Sequence, residues 1–76
     1  MEFKPIYLVM VTAGKNNNKY YRMIPHGDTW TAEYGRVGYE PQRRTYNLSS
    51  WNTKYHEKLR KGYVDQSDLI EDLISV

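Results

Sequence analysis

The chain predicts a small α+β domain, an antiparallel sheet of four to five strands covered by one main α-helix, with room for a short helix at the C-terminus. Three observations carry this expectation. Up to Leu48, segments rich in β-branched and aromatic residues alternate with Gly, Asn and Pro punctuation. From Ser49 onward the apolar residues change to helical spacing. Finally, 76 residues without cysteine hold one core, with no disulfide or thiolate site to reinforce it.

The elements follow in order. Ile6-Tyr7-Leu8-Val9-Met10-Val11 is a largely buried first strand, ended by Thr12-Ala13-Gly14. Lys15-Asn16-Asn17-Asn18 supplies residues that bond their own backbone and tolerate left-handed conformations, as a hairpin connection requires. Lys19–Ile24 is the second strand, Pro25-His26-Gly27-Asp28 a turn, and Thr29–Arg36 a third strand alternating around Trp30, Ala32 and Tyr34. After a break over Gly38–Pro41, Arg43–Leu48 returns as a fourth, with Arg44, Tyr46 and Leu48 on one face and Arg43, Thr45 and Asn47 on the other. Ser49 or Ser50 suits the N-cap of a helix whose Trp51, Tyr55 and Leu59 share one stripe. That helix should end near Lys61, with Gly62 as its left-handed terminator and Lys58, Arg60 and Lys61 in its last turn. Tyr63-Val64-Asp65 offers a fifth strand. Ser67-Asp68-Leu69-Ile70-Glu71-Asp72-Leu73-Ile74 has the cap and the apolar stripe of a short amphipathic helix.

Charge is unevenly placed. All eleven Lys and Arg but six of the nine acids lie in residues 1–65, so the body carries +5 and the tail −3. A basic body is compatible with a polyanionic partner and equally with a solvated surface. No apolar run reaches the length of a membrane span, and the first five residues lack the regions of a signal peptide, so a cytoplasmic protein without a membrane partner is expected. The two histidines, His26 and His56, sit in no catalytic or metal-binding motif, and no acid pair is singled out by spacing. Neither an enzyme nor a metal or cofactor site is expected.

The most specific stretch is Tyr34-Gly35-Arg36-Val37-Gly38, followed by Gln42 and preceded by Asn16-Asn17-Asn18-Lys19-Tyr20-Tyr21. It resembles the WGR domain family, found in poly(ADP-ribose) polymerases and in stand-alone bacterial proteins. Tyr34 stands where the family's eponymous Trp would be, and the likeness continues through Lys54-Tyr55, Lys58 and Lys61-Gly62-Tyr63, spanning roughly Ile6 to Asp65. Residues 1–65 therefore read as the WGR-like domain and residues 66–76 as an acidic, amphipathic tail. The resemblance implies a non-catalytic module that binds nucleic acid, DNA in preference to RNA, at ends or nicks.

Arg36 is the leading contact, because a guanidinium binds phosphate bidentately; the alternative is an ion pair with Glu33 or Glu40. Tyr34 offers stacking in place of the family Trp, or plain sheet packing. The resemblance places Asn18 at a family contact position with Lys19 beside it, while a turn-forming Asn is the alternative. Arg43 and the helical stripe Lys54, Lys58 and Lys61 supply the remaining cations for a phosphate track. Gly35 and Gly38 serve the backbone, and Val37 is expected to pack. An adaptor that docks on a separately encoded enzyme is the competing class, and a protein partner on the tail stripe Leu69, Ile70, Leu73 and Ile74 belongs to it.

Overall fold

A computed structural model of the chain describes residues 3–11 and 18–67. Among the described residues the strands are β1 (Ile6–Met10), β2 (Lys19–His26), β3 (Thr29–Arg36), β4 (Gln42–Asn47) and β5 (Val64–Asp65), and helix α1 (Trp51–Arg60) is entered through a 3₁₀ turn at Leu48–Ser50. The strands form an antiparallel sheet in the order β4-β3-β2-β1-β5. The chain is thus α+β. Strand β3 has the expected bounds, whereas β2 runs two residues further than expected, through Pro25 and His26, before a turn at Gly27-Asp28. The expected connection over residues 15–17 and the C-terminal helix over residues 68–74 lie outside the described residues.

Register decides which side chains meet. Met23 lies opposite Ile6 and Ala32, Tyr21 opposite Leu8 and Tyr34, and Trp30 opposite Tyr46. Because opposed residues share a face, these side chains form one apolar side of the sheet. Leu8, Tyr21, Met23, Trp30, Ala32 and Trp51 are its buried core, and Tyr34, Tyr46, Tyr55, Leu59 and Tyr63 pack against it. Trp51, the first residue of α1, meets Trp30 edge-on at 5.5 Å between ring centroids.

Both ends of α1 are tied down, but not in the same manner. Ser50 is the N-cap residue, as expected, but its hydroxyl makes no capping bond. It donates instead to the Asn47 carbonyl at 2.8 Å and accepts from Trp30 Nε1 at 3.1 Å. The buried indole, whose donor needs a partner, takes the oxygen that would otherwise have capped the helix. At the other end Gly62, with φ 108°, donates to the Leu59 carbonyl and Tyr63 to the Lys58 carbonyl, each at 3.1 Å. That pair of bonds is a Schellman motif. It reverses the chain into β5, where the Tyr55 hydroxyl donates to Asp65 at 2.7 Å and Gln66 N–H to the Tyr7 carbonyl at 2.8 Å. Among the described residues no helix is long and apolar enough to cross a membrane.

Candidate nucleic-acid interface

The end of the β2–β3 ladder collects the predicted contacts. Lys19 lies directly opposite Arg36 and Tyr21 opposite Tyr34, so all four side chains share a face. Two cations at directly opposed positions repel one another. They border an open concavity of about 400 Å³ whose lining includes Lys19, Tyr34, Arg36, Tyr39, Gln42 and Tyr63, with Glu40 as its acid. Tyr34 stacks on Tyr21, with centroids 5.6 Å apart and planes inclined 28°. Its packing role and its place in the concavity therefore coexist on one ring.

The connection after β3 completes the rim. Tyr39 N–H donates to the Arg36 carbonyl at 3.1 Å, closing a β-turn over Val37 and Gly38. Gly38, at φ 95°, occupies the third position, where a type II turn requires positive φ. Val37 N–H donates to the Asn18 carbonyl at 2.9 Å, so Asn18 extends the ladder through its backbone while its side chain is exposed. Val37 itself is 55% exposed, not packed as expected, because the turn carries it past the end of the apolar face. The Arg36 guanidinium carbon lies 4.7 Å from the centroid of the Tyr39 ring. Glu33, one of the two expected partners of Arg36, is engaged by Arg22 at 3.1 Å and Arg43 at 3.0 Å.

Helix α1 adds charge beside this rim. Lys58 Nζ lies 4.6 Å from the Tyr21 ring centroid and 5.9 Å from that of Tyr63, which connects it through stacked rings to Tyr34. Burial pushes the Lys58 ammonium below its ordinary pKa, and neighbouring Lys61 pushes it in the same direction. Burial likewise raises the Tyr21 and Tyr63 hydroxyls. Lys54 Nζ lies 3.4 Å from Glu57 and 5.2 Å from the Tyr46 ring centroid. Lys54 is the main cause that holds the Glu57 carboxyl below its usual range, with Lys61 and Lys58 contributing. Of the three lysines, Lys54 is thus the one paired with this carboxylate.

Arg43 stands apart. It lies opposite Glu33 in the register, on the other face of the sheet from Tyr34 and Arg36. Conversely, Tyr39 and Tyr63 line the concavity although the sequence reading gave the first no role and the second only a place in a fifth strand. An exposed aromatic directly after a Gly-containing turn was the available signal for Tyr39. Among the described residues no group of three His, Asp or Glu side chains is placed to hold a metal ion.

An antiparallel sheet and helix α1, bearing cations against tyrosine rings at one end, make a small α+β domain. This chain belongs to the WGR domain family, whose model matches residues 4–69. It is 44% identical over 61 residues to "Uncharacterized protein 101L" of Invertebrate iridescent virus 6, an alignment covering 79% of this chain and 26% of that protein. The chain therefore spans about a quarter of that relative's length. No solved structure matches it. The WGR domain is in general a non-catalytic module that binds nucleic acid.

Proposed function

We propose that this domain binds DNA ends or nicks through the sugar-phosphate backbone, with Arg36 and Tyr34 at the ribose-phosphate terminus and Asn18 and Lys19 beside them. The observation that carries the reading is the direct opposition of Lys19 and Arg36 across β2–β3. A phosphate reached by both would receive two charge-assisted contacts. Lys54, Lys58 and Lys61 would guide the strand that leads away from the terminus. Arg43, paired with Glu33 on the other face, is left out of the interface. In this reading residues 1–65 are the binding domain, residues 66–76 an acidic tail, and the setting cytoplasmic.

Titration of blunt, 5′-phosphorylated and nicked duplexes at two salt concentrations tests it. The wild-type domain should bind all three and favour the phosphorylated end. Arg36→Ala should weaken binding by about tenfold or more, the range of a lost hydrogen bond to a charged group. Absence of binding to every duplex at low salt would sink the proposal. An RNA duplex of the same sequence should bind more weakly; equal affinity would remove DNA as the preferred ligand.

A second reading, an adaptor that docks on a separately encoded enzyme, is favoured by a further open concavity of about 440 Å³, lined by Tyr7, Tyr20 and Val37 among others. Sedimentation of a chain ending at Asp65 beside the full chain shows whether the tail mediates association. An unchanged monomer would argue against the tail as a docking element.

A further inference from the structure

Tyr39 stands between two concavities, lining both the one at Lys19, Tyr34 and Tyr63 and the one at Tyr7 and Tyr20. It is 63% exposed, an unusual position for a large ring in a domain whose other tyrosines are at least partly buried. Its backbone is nevertheless fixed, since its N–H closes the turn onto Arg36 and the adjoining Val37 is bonded to Asn18. The residues at either end of such a turn flank its tip. The Arg36 guanidinium accordingly lies against the Tyr39 ring at 4.7 Å. A planar cation on one side of an exposed aromatic ring makes a preformed stack, with little side-chain entropy left to lose when a third plane is added.

Inside a duplex each base is already covered on both sides by its neighbours, and the bases of a blunt terminal pair are held edge to edge by their pairing, so that neither can swing out onto a ring beside the end. An unpaired base next to a duplex end still has a π-face to offer, and stacking of that kind is tolerant of base identity. We propose that Tyr39 is a stacking platform for an unpaired base, so that the domain prefers DNA ends carrying a short single-stranded overhang over blunt ends. This deepens the reading of the domain as a DNA-end binder and rests on it. Arg36 then has two roles, meeting the terminal phosphate and holding the ring that receives the adjoining base.

The test compares fluorescently labelled duplexes with a blunt end, with a two-nucleotide 5′ or 3′ overhang, and with the same overhang made of abasic nucleotides. The abasic version keeps the added phosphates and removes only the bases. The wild-type domain should bind one polarity of base-bearing overhang roughly fivefold or more tighter than its abasic counterpart. Tyr39→Ala should abolish that difference between base-bearing and abasic overhangs, whereas Tyr39→Phe, which keeps the ring, should preserve it. The proposal is overturned if the wild-type domain binds base-bearing and abasic overhangs equally, or if Tyr39→Ala keeps the preference. Failure of the underlying reading gives a different pattern, in which no duplex binds, blunt or overhung.

Discussion

Trp30 is fully buried, and its indole N–H is shared between the Asn47 carbonyl and the Ser50 hydroxyl, each at 3.1 Å. One side chain thus fills the core and holds the entry to α1. Trp30→Phe should cost about 2 kcal/mol or more, from the lost donor and the smaller ring together. Urea denaturation measures it, and stability equal to wild type would show that the shared bond contributes nothing. Glu33 presents the opposite case. Its partners Arg22 and Arg43 are 43% and 63% exposed, so Glu33→Gln should change stability by less than about 1 kcal/mol despite breaking two ion pairs. At this scale charge alone does not tell where Arg43 points. Alternation put it on the face opposite Arg44, but only pairing with β3 shows that Glu33 awaits it there.

At the scale of the element, the end of α1 was legible in the sequence and its start only in part. Gly62 follows Arg60 and Lys61 and precedes an aromatic residue, and the helix stops there because the left-handed backbone turns the Gly62 and Tyr63 N–H groups onto the Leu59 and Lys58 carbonyls of the last turn. A Cβ at this position would meet nothing closer than the Met10 side chain at 3.8 Å, an ordinary contact. The cost of Gly62→Ala is therefore backbone strain, about 1–2 kcal/mol. Gly62→Asn should cost less, because Asn enters the left-handed region more readily. Thermal or urea unfolding of both variants checks the order, and equal losses would refute the strain account. The start differs because Ser50 is claimed by Trp30, twenty residues away along the chain, and no local rule anticipates that competition.

Over the whole molecule, charge and burial set the response to salt and pH. If the lysines of α1 each neutralise a phosphate, the slope of log affinity against log salt should fall by about 0.9 for Lys61→Ala with duplex DNA. An unchanged slope removes Lys61 from the track. On the alkaline side, burial raises the Tyr21 and Tyr63 hydroxyls, and the bond to Asp65 raises that of Tyr55. The folded chain keeps protons that the unfolded chain releases near pH 10, so stability present below that value should be lost above it. Tyr21→Phe should make the loss shallower. On the acid side, burial raises the Asp65 carboxyl, but bonds from Ser67 and Tyr55 outweigh it and leave the carboxyl low. Its stabilisation is present above the ordinary carboxylate range and is lost as pH falls from that range through the lowered value of the folded state. Urea midpoints of wild type and Asp65→Asn should therefore draw together as pH falls below the ordinary carboxylate range.

The sequence by itself determined the α+β class, the bounds of β3, the stop at Gly62 and membership of the WGR family. All of these rest on signals confined to a few neighbouring residues: alternation, turn chemistry, a left-handed glycine and a motif. Tertiary structure alone decided that Lys19 faces Arg36, that Arg43 is turned to Glu33, that Ser50 serves Trp30, and that Tyr39 stands exposed against Arg36. The physical reason is register. Which side chains meet across strands depends on how distant segments align, and a shift of one residue would send Lys19 or Arg43 to the other face.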